Sequence, residues 1–255
     1  MPRWIVLALA GLPCLVAVSS RADAAELVLV SPGAVSSSLR ELMPRFEQSS
    51  GHTVIVKYSP ALALADRIRA GEAADVAILG EPAAEELQKS GRLVSGSKIV
   101  IAKVGVGVFV RRGAPKPEIG SVEALLRAIA NATAIAYSDP ARGGTAANHV
   151  ARVMASLDTA GAIKAKTRLT PPSKPLADFV VAGGADFGFT QITEIMADPR
   201  IELVGPLPAP IQYYTHYAAS LVASSAHQEA GKTLIAFLSS PEAAAVMRTK
   251  GFAPL

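Results

Sequence analysis

The alternation of short apolar strands with amphipathic helices, which begins at Glu26, most constrains the fold of this chain. The run ELVLVS (26–31) is strand-like, and SSSLRELMPRFEQSSG (36–51) follows with apolar residues at helical spacing. Ser36 or Ser37 is predicted to cap this helix, and Gly51 to end it. HTVIVKYS, ALADRIRAGEA, ADVAILG and EPAAEELQKSGRLV repeat the alternation. This rhythm predicts βαβ units around a largely parallel sheet.

Two long β-rich runs interrupt the alternation, KIVIAKVGVGVFVRRG (98–113) and ELVGPLPAPIQYYTHYAASLVASS (202–225). Glycines inside the first run, Gly105 and Gly107, allow bends and suit a strand that leaves one sheet and enters another. The runs flank a central α/β block, and helices close the chain. The pattern therefore predicts two α/β lobes joined by two hinge crossings. Lobe 1 comprises residues 26–103 and 217–255, lobe 2 comprises 104–216, and the ligand is expected in the cleft between them.

The N-terminus predicts export. Arg3 is followed by the apolar run WIVLALAGLPCLVAV and by small residues at Ala22 and Ala24. This order is typical of a secretory signal peptide, and the run is shorter than the roughly 20 residues of a spanning helix. We expect residues 1–24 to be removed and the mature chain to be periplasmic. Cys14, the only cysteine, lies in this segment, so the mature chain has no thiol for a disulfide or a nucleophile.

Composition and spacing argue against two classes of function. The 25 basic and 21 acidic residues are interspersed, and loss of residues 1–24 leaves 23 against 20, or +3. Aromatic residues are few, so the basic stripe and stacking rings of a nucleic-acid-binding protein are lacking. The four histidines are scattered without metal-ligand spacing, and no G-x-S-x-G motif is present. We therefore expect neither a metal nor a cofactor, and a binding protein rather than an enzyme.

The loop in YSDPARGGTAAN (137–148) is the strongest local indication of a ligand. Gly143 and Gly144 lie between a predicted strand and a predicted helix, where backbone N–H groups at a helix start can approach an anion. SPGAVSS and YSPALA also precede helices, so three helix starts are predicted to converge on one anion. Arg142 adds a guanidinium, which suits a carboxylate. Asp139 is the one candidate base for a secreted hydrolase, although Asp before Pro mostly shapes turns.

Five segments taken in order resemble the periplasmic molybdate-binding proteins, the solute receptors of ABC importers. They are SSSLRELMPRFEQSSGHTV, ALADRIRAGEAADVAILG, YSDPARGGTAANHVARVM, GADFGFTQITEI and LIAFLSSPEAAAVMRTKGFAPL. The resemblance covers nearly all of the mature chain. It implies the type II periplasmic binding fold and a tetrahedral oxyanion held by hydroxyls and backbone amides. It also implies an ABC permease as partner, and we expect a monomer.

The family's ligand positions match this chain unevenly. Serines of its first two loops fall on Ala34 and Ala61, and its frequent tyrosine falls on Gln191. Main-chain donors fall on Thr145 and near Ser173. The predicted ligand-binding residues are Gly33, Ala34, Ser36, Ser59, Ala61, Arg142, Gly143, Gly144, Thr145, Ser173 and Gln191.

The substituted positions leave the ligand open. Each unmade hydrogen bond to a desolvated anion loses about 1–3 kcal/mol, so the alanines disfavour molybdate unless Ser36, Ser59 or Arg142 compensates. A small organic carboxylate is the alternative, because it suits an arginine, an amide such as Gln191 and the room beside small alanines. Molybdate or tungstate is the first expectation, because so much of the chain matches that family, and the carboxylate follows close behind. A secreted hydrolase and a two-lobed sensor module are the alternatives from other classes.

Overall fold

The computed structural model describes residues 24–170 and 174–255, so the predicted signal peptide lies almost wholly outside the described residues. Within them, no helix has the length and apolar character needed to cross a membrane. The strands are β1 (Glu26–Ser31), β2 (Thr53–Tyr58), β3 (Val76–Gly80), β4 (Ile99–Arg111), β5 (Ile135–Ser138), β6 (Thr167–Thr170), β7 (Phe187–Gln191), β8 (Ile201–Pro206) and β9 (Tyr214–Leu221).

The helices are α1 (Ser36–Ser50), α2 (Ala61–Arg69), α3 (Glu81–Lys89), α4 (Val122–Asn131), α5 (Thr145–Leu157), α6 (Ala162–Lys166), α7 (Leu176–Val181), α8 (Ile192–Ala197), α9 (Gln228–Leu238) and α10 (Pro241–Thr249). Three 3₁₀ turns accompany them, η1 (Gly33–Val35), η2 (Pro140–Arg142) and η3 (Ala209–Ile211).

The described strands form one mixed sheet in the order β2–β1–β3–β9–β4–β7–β5–β6, with β8 paired to β4. Strand β1 is parallel to β2 and β3, and β5 is parallel to β6 and β7. Strands β4 and β9 run antiparallel to all their partners. The prediction of a largely parallel sheet is therefore wrong for its centre, because the two long β-rich strands lie there between the two α/β halves.

Strand β4 joins the two halves of the sheet. Its N-terminal part pairs with β9, and from Val106 onward it pairs with β7 and β8. Gly105 and Gly107 lie at this change of partner, as the sequence predicts, but neither has a positive φ. A Cβ at Gly107 would lie 2.9 Å from Ile192 Cγ1, and one at Gly105 would lie 3.2 Å from Gln212 Nε2. Close packing, rather than backbone freedom, requires glycine here.

Each half of the sheet has an apolar core on both faces. In the first half, helices α1, α9 and α10 pack with Leu27 on one face, and α2 and α3 pack with Val30 on the other. In the second half, α4, α5 and α6 pack with Val108, whereas α7 and α8 pack with Phe109. The four strand residues are fully buried, and a buried aliphatic side chain contributes about 1.5–3 kcal/mol. The exact division into lobes stays a prediction.

The helix boundaries follow the sequence with one correction. Gly51 ends α1 in the left-handed conformation at φ 75°, and its N–H donates to the Glu47 carbonyl, as predicted. The predicted cap by Ser36 or Ser37 is wrong, because Val35 holds the cap position and makes no side-chain cap bond. The 3₁₀ turn η1 precedes α1 and moves both serines into the first helical turn.

The sequence pattern does not predict three short elements, α6, β6 and α8. Each has only four to six residues, too few for a helical or alternating pattern to repeat. Helix α8 matters for the site, because it starts directly after Gln191 at the end of β7.

Candidate functional site

A cavity of about 620 Å³ lies between the two halves of the molecule. The first half contributes the loops after β1 and β2, and the second contributes the loops after β5 and β7. Those strands are parallel neighbours within each half, so their carboxyl ends meet at one edge of the sheet. The first half supplies Pro32, Gly33, Ala34, Ser36, Ser37, Tyr58, Ser59, Pro60 and Ala61. The second half supplies Ser138, Asp139, Gly144, Thr145, Ala146, Ala147, Thr190, Gln191, Thr193 and Glu194, among others.

Two of the three predicted helix starts present unpaired N–H groups to this cavity. Helix α2 begins after Pro60, and α5 begins after Gly144. Neither has a side-chain cap, so their first-turn N–H groups lack intrahelical partners. Their partial positive charge favours an anion at this place.

The third start differs from the prediction. In turn η1, Val35 N–H donates to the Pro32 carbonyl, and Ser36 N–H donates to the Gly33 carbonyl. These two donors are thereby used within the chain. The N–H groups of Gly33 and Ala34 at the start of the turn are left for a ligand.

Gln191 lies at the centre of a buried hydrogen-bond network. Its Nε2 donates to Thr145 Oγ1 at 3.1 Å and to Thr215 Oγ1 at 3.2 Å. The Tyr217 hydroxyl donates to Gln191 Oε1 at 3.0 Å, and the two threonine hydroxyls are 3.0 Å apart. Burial raises the pKa of Tyr217, so its phenol stays neutral and remains a donor. The network ties β7, β9 and the start of α5 together.

The same network changes the role expected for Gln191. Its side chain lines the cavity, but both amide hydrogens already have threonine acceptors. Gln191 therefore holds Thr145 in place at the start of α5, and its side-chain donors are committed to protein.

Helix α8 forms a polar wall of the cavity. Thr193 is 1% exposed, and its hydroxyl has no hydrogen-bond partner among the described residues. The Glu194 carboxylate accepts a short hydrogen bond from the Thr190 hydroxyl. Glu194 lines the cavity with an exposed side chain, and the protein around its carboxyl raises the pKa of that group by desolvation.

The pKa of Asp198, at the end of α8, is shifted in the opposite direction from that of Glu194. Its carboxylate accepts hydrogen bonds from Arg200 Nε at 3.0 Å and from Arg200 Nη2 at 2.7 Å. These bonds lower the pKa of Asp198, so it stays ionised. Arg200 also pairs with Asp178 of α7 at 2.7 Å.

The predicted site residues are placed as follows. Lining the cavity are Gly33, Ala34, Ser36, Ser59, Ala61, Gly144, Thr145 and Gln191. Gly143 instead faces helix α2, where a Cβ on it would lie 2.4 Å from Leu62 Cβ. Ser173 and the Arg142 side chain lie outside the described residues. The hydrolase candidate Asp139 uses its carboxylate to accept the Ala141 N–H at 2.9 Å, which is the turn-shaping role of Asp before Pro.

Several residues that line the cavity are not among the predicted ligand-binding residues. Tyr58 and Ser138 end β2 and β5, and the rule that ligands bind at strand carboxyl ends could have identified both. Thr193 and Glu194 carry no such signal, because they lie on the short helix α8. No group of three or more potential metal ligands occurs in the described residues.

The fold and this cleft define a class of protein. Residues 27–253 match the family model of the bacterial extracellular solute-binding proteins, and the chain belongs to that family. Its fold is the type II periplasmic binding fold, as the resemblance implies.

Similar proteins carry different names. The chain is 30% identical to an aconitate isomerase from a Pseudomonas species over 235 residues, 90% of this chain and 88% of that protein. It is 25% identical to the molybdate-binding protein ModA of Azotobacter vinelandii over 239 residues, 91% of each chain. Among solved structures, the substrate-binding domain of a putative molybdenum ABC transporter from Clostridium difficile superposes with a TM-score of 0.73. The sequence identity is 17%, over 91% of this chain and all of that chain.

Proposed function

We propose that this chain is the periplasmic solute-binding component of an ABC importer and that it carries a small organic carboxylate. The observation that carries the proposal is the roughly 620 Å³ cavity, which combines backbone N–H groups of helix starts with small alanines. A volume of that size could hold about 20 water molecules at ~30 Å³ each. A tetrahedral oxyanion has five heavy atoms, so most of this volume would have to disappear on closure or be filled by water, whereas a carboxylate with a carbon skeleton occupies more of it.

The donors around the cavity support the same choice. Ala34 and Ala61 offer backbone N–H groups but no hydroxyl, and Gln191 spends its amide hydrogens on threonines. A dianionic oxyanion with four acceptor oxygens would also have to draw on hydroxyls of the cavity wall, such as those of Ser36 and Ser59. One carboxylate group has two oxygens, and two helix starts can satisfy both. We therefore propose the carboxylate ahead of molybdate, the reverse of the order expected from the sequence.

A ligand screen tests this proposal. A ligand that binds only the folded state stabilises it by mass action and so raises the melting temperature. At a free ligand concentration of 100 times Kd, the free energy of unfolding rises by about 2.7 kcal/mol. We expect mono-, di- and tricarboxylates to include a stabilising ligand, and molybdate and sulfate to be weaker. Calorimetry then compares ligand binding by wild type and by Arg142→Ala. The matched control is Arg45→Ala, because Arg45 is a surface arginine of α1 that pairs with Glu41. Micromolar molybdate binding without any carboxylate binding would reject the proposal.

A second candidate is an isomerase of an unsaturated organic acid. The 30% identity to an aconitate isomerase over 90% of the chain supports it. Incubating the purified mature chain with cis-aconitate and recording proton NMR spectra would detect the trans isomer as it forms. Turnover would assign the chain to catalysis, whereas saturable binding without turnover would assign it to transport.

We propose that two bodies close on the ligand, residues 26–103 with 217–255 as one body and residues 104–216 as the other. Small-angle X-ray scattering with and without a saturating carboxylate should show a smaller radius of gyration in the complex, and a molecular mass of one chain. N-terminal sequencing of the exported protein tests the predicted start at Ala25.

A further inference from the structure

Part of the cavity lining comes from helices α7 and α8 and from the residues next to them. Both helices pack with Phe109 on the same face of the sheet. We call this part of the lining the α7–α8 arm. It consists of Pro175, Leu176, Ala177, Thr190, Glu194, Ala197 and Asp198.

Glu194 is the carboxyl group of the arm that has no cationic partner among the described side chains. The groups that face it are the Thr190 hydroxyl, the Gln191 N–H and the neutral Tyr217 phenol. Asp198 is neutralised by Arg200. An ionised Glu194 in this enclosure would repel any anionic ligand.

Thr193, the neighbour of Glu194 on α8, provides a second, independent indication of a ligand in the cavity. Its residue lines the cavity, yet its hydroxyl is buried and lacks a partner among the described residues. A buried polar group without a hydrogen bond loses about 1–3 kcal/mol, so a ligand atom that reaches this hydroxyl when the cleft closes would gain a hydrogen bond there.

We propose that the α7–α8 arm is a subsite for a second carboxylate of the ligand, and that Glu194 donates a hydrogen bond to it through its own proton. The inference rests on the proposed function and narrows the ligand to polycarboxylic acids. The helix starts hold one carboxylate, and the protonated Glu194, with Thr193 beside it, holds another. A neutral carboxylic acid that donates to a carboxylate makes a strong, charge-assisted hydrogen bond.

This arrangement couples ligand binding to a proton. The pKa of Glu194 is raised in the free protein by burial, and a neighbouring ligand carboxylate raises it further. Binding therefore takes up a proton at pH values between the free and bound pKa of Glu194, and affinity rises as pH falls through that range. Glutamine has the same shape, donates from its amide and does not titrate, so Glu194→Gln mimics the protonated acid.

Calorimetry on the full mature chain tests the subsite with citrate, trans-aconitate and succinate as probes and acetate as the single-carboxylate comparison. Each titration is run at pH 6 and 7 in two buffers of different ionisation enthalpy, which measures proton uptake. We expect wild type to take up a proton with its best polycarboxylate, beyond the uptake of Glu194→Gln. Affinity in Glu194→Gln should stay within about threefold of wild type at pH 6, and Glu194→Ala should lose about tenfold or more.

The outcomes separate the two proposals. Wild type that binds no polycarboxylate overturns both the proposed function and the subsite. Polycarboxylate binding with the same proton uptake in wild type and Glu194→Gln overturns the subsite alone. The subsite alone is also overturned if Glu194→Gln binds the polycarboxylate as weakly as Glu194→Ala does. Glu229→Gln removes a surface carboxyl that is 85% exposed in its side chain and pairs with Lys232, and it should match wild type throughout.

Discussion

Gly143 and Leu62 touch across the opening of the cleft, one from the loop after β5 and the other from α2. A Cβ on Gly143 would lie 2.4 Å from Leu62 Cβ, and Gly143 has φ 75°. Leu62 is 53% exposed, so this contact is made at the rim. The two halves can approach this closely only because residue 143 has no side chain.

Gly143→Ala should therefore weaken ligand binding as well as stability. Alanine in the left-handed region costs about 1–2 kcal/mol, and the clash with Leu62 also opposes closure. Gly161→Ala is the matched control, because Gly161 has the same φ of 75° with nothing within 4 Å of its Cβ position. Urea denaturation should show a similar loss in both variants, and calorimetry should show weaker ligand binding only in Gly143→Ala. Equal affinities would contradict a role for this contact in closure.

Gln191→Leu should be strongly destabilising. It leaves the buried Tyr217 hydroxyl without its acceptor and the Thr145 and Thr215 hydroxyls with only each other, and each buried hydrogen bond left unmade costs about 1–3 kcal/mol. We expect a loss of at least about 2 kcal/mol in urea denaturation. Tyr217→Phe removes the bond to Gln191 Oε1 but keeps the amide, and it should lose about 1 kcal/mol. If both variants lose the same free energy of unfolding, the Gln191 amide is not the centre of the network.

Restoring the hydroxyls of the resembled family should shift the preference of the site toward oxyanions. In the double variant Ala34→Ser and Ala61→Ser, each added donor is worth about 1–3 kcal/mol to a desolvated anion. We expect molybdate affinity, measured by calorimetry, to rise at least about tenfold. Ala223→Ser, an exposed substitution outside the cavity lining, is the control. Unchanged molybdate binding would mean that the two alanines do not face the anion.

The stability of the ligand-free protein should depend on pH through Glu194. Its pKa is raised by burial above the ordinary value of 4.5, so the folded protein holds this proton more tightly than the unfolded chain. The difference in pKa therefore destabilises the folded state. This destabilisation is absent below about pH 4.5, where both states hold the proton, and it grows as pH rises toward the folded pKa. Glu194→Gln should therefore melt higher than wild type at pH 7, and this advantage should shrink toward pH 4.5. Parallel melting curves across that range would contradict the raised pKa.

Much of this protein could be predicted from its residues alone. Apolar spacing locates helices such as α1, and Gly51 ends that helix because glycine adopts a positive φ without strain. The strand-to-helix loops with small residues, such as the one at Gly144, identify most of the cavity wall. These features are local, so a short window of sequence contains their physical cause.

Other features depend on residues far apart in the chain. Gln191, Thr145 and Thr215 form one network because β7, β9 and α5 meet in space, and no spacing in the sequence encodes that meeting. Helix α8 is too short to show a period, so Glu194 became a site residue only when the two halves enclosed it. Local propensity thus determined the elements and the class of fold. Tertiary packing decided which side chains share the cavity, because desolvation and hydrogen-bond pairing depend on neighbours that only the folded chain brings together.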